Sequence, residues 1–312
     1  MQEYNIAMIG IDGGGTKTEF ILFTKKGNIL KRVVLGTSNP NACGIEKTLE
    51  ILETGIEKCL TVCAEVEGIF LGLAGFVSGN AGVGIDVHLR NRYPGVKVKC
   101  MTDIINVISS ATDMEECTAV ISGTGSIVYA KKGEELYRTG GWGYLLDNAG
   151  SGFDMGRDAL RAALAEGDGI GEKTLITELC EKRLGTKVWD SVGKIYAGGT
   201  NLVASFATVV FEAYEKGDQV AKEIVERTAE RLHLLIRHSI DTYGCGEAIV
   251  LSGSIVTKNE VIIGKLREKN PELNFLIPKL PQVYGACVQC AKLCGVPAEE
   301  ISENFTMDYE QL

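Results

Sequence analysis

The densest run of chemically competent residues in this chain is Ile9 to Phe23, IGIDGGGTKTEFILF. Asp12 can hold a hard cation through oxygen. Gly13, Gly14 and Gly15 have no Cβ, can take positive φ, and can bring backbone N–H groups up to a bulky anion. Thr16 and Thr18 add hydroxyl donors, and Lys17 adds a point positive charge. Together they make the donor set of a polyphosphate–magnesium site. A second run, Ala119 to Ala130 (AVISGTGSIVYA), repeats the pattern. Gly13, Gly15 and Thr16 match Gly123, Gly125 and Ser126 at one offset of 110 residues. An echo at that spacing predicts two similar halves, each offering a phosphate hairpin to a shared cleft.

Two further places could do chemistry. Asp103 stands alone after the alternating run Val96, Val98, Cys100. Thr139 to Gly156, TGGWGYLLDNAGSGFDMG, holds six glycines and Trp142, too glycine-rich for a core element and apt for shaping a ligand site. Glycines on both sides of the indole favour a loop platform whose ring can stack on a ligand. The only histidines, His88, His233 and His238, lie outside the glycine-rich motifs, which disfavours chemistry built on a His base or a His-rich metal site.

These residues need elements to hold them. Walker and dinucleotide loops run into a helix, with spacings absent here. After Thr18, Phe20 and Leu22 lead to a turn at Lys26-Gly27-Asn28, which predicts a β-hairpin with the glycines at its tip. The stripe Ile45, Leu49, Leu52, Ile56, Leu60 predicts a helix. Gly68 to Gly75 reads as a buried strand, Val83 to Arg92 as a helix, Val96 to Cys100 as a strand, and a helix follows from Ile104. The order implies a mixed sheet with helices on it. Ligands gather at the carboxyl ends of such strands, which places Asp103 in the cleft. The second half predicts helices over 153–166, 172–184, 201–216, 218–242 and 259–269, strands at Glu247 to Ser254 and Leu273 to Ile277, and a last clear helix from Tyr284 to Cys294.

The chain has 312 residues, enough for two domains with real cores, with 45% hydrophobic and 23% charged residues and a net charge of −9. That charge disfavours a nucleic-acid footprint or an anionic-membrane surface. No apolar run reaches 18 residues, and the N-terminus lacks the basic and apolar regions of a leader. Ten cysteines without a secretory signal predict a cytoplasmic protein with reduced thiols. Domains are expected over 1–114 and 115–295, with 296–312 a candidate to return to the first.

IDGGGTKT, TSN at 37–39, TD at 102–103, ISGTGS at 121–126, GGWG at 140–143 and LSGS at 251–254 follow one another in an order that resembles the N-acetylglucosamine kinase and BadF/BadG/BcrA/BcrD ATPase family, within the sugar kinase–heat-shock protein–actin superfamily. The resemblance spans Gly10 to Ala286. It implies an α/β protein of two ribonuclease-H-like (actin-like ATPase) domains, with ATP in the cleft between them, and a homodimer. It implies that Asp12 holds magnesium, and that Gly14, Gly15, Thr16 and Lys17 cradle the phosphates with Gly123, Thr124 and Gly125 as the second hairpin. Gly253 and Ser254 would lie against the adenosine. Asn39, Ser126, Gly141, Trp142 and Gly143 would contact an amino sugar such as N-acetylglucosamine, glucosamine or N-acetylmuramic acid, and Asp103 would be the catalytic base. Family kinases follow GGWG with an acidic pair; here Asn148 and Ala149 take its place, so the charge is gone unless Asp147 substitutes. Ala74 stands where Ser is frequent.

Two other readings are carried. One is an ATPase that activates a partner enzyme; relatives of that kind hold an iron–sulfur cluster. Cys287, Cys290 and Cys294 share a helix face, but this is also the pattern of a buried stripe, and no fourth ligand is evident. Cys59 and Cys63 likewise read as core. The other is a nucleotide- or sugar-binding regulator without catalysis. Since the chain opens directly on its first strand, no helix-turn-helix is expected. Asp103 could also cap the helix that follows it, a role compatible with catalysis.

Overall fold

The apolar runs on either side of the first glycine turn pair as β1 (Ala7–Gly13) and β2 (Lys17–Thr24), antiparallel from Ala7↔Thr24 to Gly13↔Thr18. The computed structural model describes residues 7–76, 81–147 and 150–312. β3 (Ile29–Gly36) extends the meander. After α1 (Pro40–Cys43) and α2 (Ile45–Leu60) come β4 (Val66–Leu73), α3 (Ala81–Arg92), β5 (Lys97–Thr102) and α4 (Ile104–Ser109). The sheet order is β3-β2-β1-β4-β5, with β4 and β5 parallel to β1. Ile9, Ile11, Phe20, Leu22, Ile69 and Leu71 are fully buried in one core with Leu52 and Ile56 of α2. β3 was not foreseen: its Lys31 and Arg32 interrupt the apolar pattern at a sheet edge, where charge is tolerated.

The second unit repeats the plan. β6 (Glu116–Ser122), β7 (Ser126–Lys132) and β8 (Glu135–Thr139) form an antiparallel meander. Helices α5 (Gly152–Gly167), α6 (Leu175–Leu184), α7 (Val192–Ser205), α8 (Ala207–Glu215) and α9 (Gln219–Tyr243) precede β9 (Ala248–Ser252), α10 (Ser254–Thr257), α11 (Glu260–Lys269) and β10 (Asn274–Leu276). The order is β10-β9-β6-β7-β8, with β9 and β10 parallel to the hairpin's first strand. The helix expected over 201–216 is two, α7 and α8, joined at Phe206; α7 is itself kinked where Gly199 leaves helical angles at φ 60°. α6 starts later than expected, at Leu175, because the Thr174 hydroxyl caps the Ile176 N–H.

The chain then returns to the first unit as α12 (Gln282–Leu293) and α13 (Ala298–Tyr309). The two units are Met1–Asp113 with Pro278–Leu312, and Met114–Ile277, so the return begins at Pro278 and not after the expected limit at Gly295. α12 packs on β1, β4 and α4. It sits close because two strand positions carry no side chain. A Cβ on Gly10 would lie 2.6 Å from Cys287 Sγ, and one on Gly68 would lie 2.4 Å from Cys294 Sγ. Cys287, Cys290 and Cys294 are all buried in that contact, the core stripe their spacing suggested. α13 went unforeseen because only Ile301 and Phe305 are fully buried, too few positions to show a periodicity. Among the described residues, no helix is long and apolar enough to cross a membrane.

Candidate active site

The first glycine turn is the hairpin tip expected, closed by the Gly14 N–H donating to the Lys17 carbonyl at 2.9 Å. Its glycines do not serve positive φ, since none of the three adopts it. Gly13 is required by crowding: a Cβ there would lie 2.7 Å from both Ser38 Oγ and a Leu73 methyl. Gly15 faces open space, and Thr16 and Lys17 are exposed. Thr18 departs from expectation. It is buried, and its hydroxyl donates to the Gly36 carbonyl at 2.8 Å, 2.8 Å from the Ser38 hydroxyl, so it braces the Thr37–Asn39 loop and offers nothing outward. Thr37 Oγ1 donates to the Gly14 carbonyl at 3.0 Å, and Asn39 Oδ1 accepts from the Asn41 N–H at 2.9 Å as the cap of α1. Lys17 Nζ donates to Glu19 Oε2 at 2.7 Å. Glu19 is buried, and its other oxygen accepts from Arg32 Nε at 2.7 Å and the Tyr309 hydroxyl at 2.8 Å. Burial alone would raise the Glu19 pKa; the bonds from Lys17, Tyr309 and Arg32 outweigh it and hold the carboxyl below its usual range. Lys17 therefore stands on a fixed anion, with donors of its ammonium group still to spare.

β1, β4 and β5 run parallel with Gly13, Leu73 and Thr102 in register, so Asp12 and Asp103 reach the same carboxyl edge of the sheet, about 10 Å apart along it at two strand spacings. Asp103 occupies the cap position of α4 but makes no side-chain cap bond; its Oδ1 accepts from Thr102 Oγ1 at 3.1 Å. The capping alternative is thereby not realised: the carboxylate is held by Thr102 and its local backbone rather than by a cap bond. Burial raises the Asp103 pKa, opposed by the Thr102 hydroxyl and local backbone N–H groups. Asp12 is pushed to about 6, mainly by burial and further by the negative charges of Asp103 and Glu19, against a hydrogen bond from Asn106 and the charge of Lys17. The Asn106 amide donates to Asp12 Oδ1 at 2.7 Å. Asp12, part-buried beside the glycine hairpin, is a hard oxygen donor of the kind that suits a divalent ion, and Asp103, two strands away, is a separate carboxylate rather than a second ligand of the same ion.

In the second unit, Gly123 N–H donates to the Gly125 carbonyl at 2.9 Å across the GTGS turn, which leaves Thr124 and Gly125 exposed and Ser126 buried. The first N–H groups of α5 are consumed here. Gly152 donates to the Gly123 carbonyl at 2.7 Å and Phe153 to that of Thr124 at 3.1 Å, so the helix braces the hairpin. Gly253, at φ 91°, lies against the same turn: a Cβ there would lie 2.4 Å from the Ser122 carbonyl oxygen. Between the hairpin, Ser254 and helices α7 and α8 opens a cavity of about 470 Å³, which Asn201, Phe211 and Lys258 also line. Trp142 is 63% exposed between Gly141 and Gly143, both at positive φ, with the Arg138 guanidinium 4.1 Å from its ring centroid. Asn148 and Ala149 lie outside the described residues.

The first unit thus brings together Asp12, Gly14 to Lys17, Asn39 and Asp103, and the second brings together Gly123 to Ser126, Gly253 and Ser254. The sequence reading missed Asn106, Arg32, Tyr309 and the cavity residues Asn201, Phe211 and Lys258. Only Asn106 had a usable signal, its place three residues after Asp103 at a helix start.

The profile of the BadF/BadG/BcrA/BcrD ATPase family matches residues 9–287. An N-acetylmuramic acid/N-acetylglucosamine kinase of Clostridium acetobutylicum is 30% identical over 302 residues, 92% of this chain and 99% of the relative. An N-acetyl-D-glucosamine kinase of Dictyostelium discoideum is 29% identical over 317 residues, 90% of this chain and 96% of the relative. A solved structure of a candidate N-acetylglucosamine kinase from Chromobacterium violaceum superposes with a TM-score of 0.68 at 21% identity, over 90% of this chain and 98% of that one, a likeness of fold. Over a match of this extent, this chain belongs to the BadF/BadG/BcrA/BcrD ATPase family.

Proposed function

We propose that this protein is an ATP-dependent kinase that transfers the γ-phosphoryl group to a hydroxyl of an amino sugar of the N-acetylglucosamine or N-acetylmuramic acid class. The carrying observation is the pair Asp12 and Asp103, two raised carboxylates on one sheet edge beside the glycine hairpin. Kinship with the two curated sugar kinases supports the substrate class.

Asp103 acts as general base. A sugar hydroxyl is a weak nucleophile at neutral pH and needs a carboxylate to take its proton as phosphoryl transfer proceeds. A pKa raised by burial brings that carboxyl nearer the working pH and makes it a better proton acceptor. Thr102, bonded to one oxygen, orients it. Gly14, Gly15, Thr16 and Lys17 hold phosphate oxygens, as do Gly123, Thr124 and Gly125, while Gly253 and Ser254 border the nucleoside. Asn39, Ser126, Gly141, Trp142, Gly143 and Asn148 belong to the sugar side. Asp12 would hold magnesium, which supplies charge neutralisation for the transferring phosphoryl group when bound.

The test is ADP release and product mass across a panel of amino sugars, with Asp103→Asn as the control. The variant should lose about 10²–10⁴-fold in kcat while still binding ATP. Full turnover in the variant would overturn the role of Asp103. Sugar-independent hydrolysis would favour a partner-activating ATPase, and sugar binding without phosphorylated product would favour a regulator.

A further inference from the structure

Asn106 lies on α4, three residues past Asp103 and so one turn on along the same helix. No part of its surface is exposed. Its Nδ2 donates to Asp12 Oδ1 at 2.7 Å and lies 3.4 Å from the carbonyl oxygens of Ile11 and Gly72. All three are acceptors, so only the amide nitrogen can face them, and this fixes which way the amide is turned. Its Oδ1 is then buried with no hydrogen-bond partner among the described residues. A buried carbonyl without a donor is a cost that an apolar residue at this position would avoid.

The surroundings are shaped to admit this amide. In the β1–β4 register Asp12 sits opposite Gly72. A Cβ on residue 72 would lie 2.3 Å from both Nδ2 and Oδ1 of Asn106, so any other side chain there would close the path from α4 to Asp12. The gap in β4, the burial, the orphaned oxygen and the short bond to a carboxylate converge on one purpose. The amide holds one Asp12 oxygen, and the structure gives the other oxygen no hydrogen-bond partner among the described residues.

We propose that Asn106 is a positioning residue for Asp12: it fixes the rotation of that carboxylate so that its second oxygen stays presented to the magnesium of Mg-ATP. This rests on the kinase reading. It gives α4 two duties, with the base at its first turn and the orientation of the cation-side carboxylate one turn later.

The experiment compares wild type, Asn106→Ala, Asn106→Ser, Asp12→Asn and the double variant Asp12→Asn/Asn106→Ala. One readout is calorimetric binding of a non-hydrolysable ATP analogue with and without magnesium; the other is the magnesium dependence of turnover. Asn106→Ala should raise the half-saturating magnesium about 10-fold and weaken analogue binding only when magnesium is present. Asn106→Ser, which keeps a donor, should fall between, and it carries the test alone if the alanine variant does not fold. In the Asp12→Asn background, removing the amide should change nothing further. A loss that persists in that background, or that is equal with and without magnesium, marks a merely structural residue and overturns the proposal. Absence of magnesium-dependent analogue binding by wild type would overturn the kinase reading and this role with it. Normal wild-type binding with unchanged Asn106 variants would overturn the role of Asn106 alone.

Discussion

Asp12 pits stability against chemistry within one side chain. In the unfolded chain it ionises near its ordinary 3.8, and in the native state near 6. Between those pH values the native state holds the proton more tightly, so stability falls as pH rises through the window, and the cost is fully present at pH 7. Asp12→Asn should therefore stabilise the metal-free protein at pH 7, on the order of 1–3 kcal/mol after allowance for solvent screening. The gain should fade as pH drops from 6 towards 4, and phosphoryl transfer should collapse. Thermal melts of both proteins across that range check this, and an equal or lower melting point for the variant at pH 7 contradicts it. Opposition of this kind is expected where a site is built to receive a cation. Lys17 shows the complementary device: its charge is held in place by Glu19, whose own cost of burial is met by Arg32 and Tyr309.

At the scale of elements, the two hairpins look alike in sequence but are braced differently. The first is backed by the Thr37–Asn39 loop through Thr18, Ser38 and Thr37. The second is backed by the start of α5 and by the turn that leads from β9 into α10. Gly253 is the tightest point of that bracing, because its positive φ and its approach to the Ser122 carbonyl both require glycine. Gly253→Ala should cost about 2–4 kcal/mol, adding left-handed strain to a backbone clash. It should also raise KM for ATP more than it lowers kcat, since the hairpin and cavity move while Asp103, the proposed base, belongs to the other unit. Denaturant melts with steady-state kinetics check both. A change confined to kcat would place this turn outside the nucleotide site.

At the scale of the molecule, the first unit is closed by the last part of the chain. Ile301 and Phe305 of α13 are fully buried, Asp308 accepts from the Ile29 N–H at 2.8 Å, and Asn304 donates to the Lys26 carbonyl at 2.7 Å. Ending the chain at Gly295 should remove about 3–6 kcal/mol of apolar burial from that unit. Limited proteolysis should then cut within β2 and β3, while residues 114–277 stay as resistant as in the full chain. Equal resistance of the first unit would show that α13 contributes little. The thiols of Cys287 and Cys290 on α12, and of Cys294 at its C-terminal cap, belong to the same closure. They fill the space left by Gly10 and Gly68, which is why cluster-like spacing here makes core.

Much of this architecture was legible in the order of residues. The glycine hairpins, the strand leading to Asp103 and the amphipathic α2 follow from local pattern, since turn chemistry and side-chain period act between near neighbours. The repeat at 110 residues carried the likeness of the two halves, and both sheets do share one topology. What the sequence could not yield depends on contacts between residues far apart in the chain. Tyr309 reaches Glu19 across 290 positions with no local pattern to announce it, and Asn106 reaches Asp12 across 94, its place one turn past Asp103 hinting at the site but not at its partner. Thr18 looked like a phosphate donor until Ser38 and Gly36 claimed its hydroxyl, and Gly13 looked like a positive-φ glycine until Leu73 and Ser38 crowded it. Residue types and spacing determined which groups are available for phosphoryl chemistry. Tertiary packing decided which of them face outward, which are used up as bracing, and what proton affinity each retains, because burial and partner distance are set only when distant segments meet.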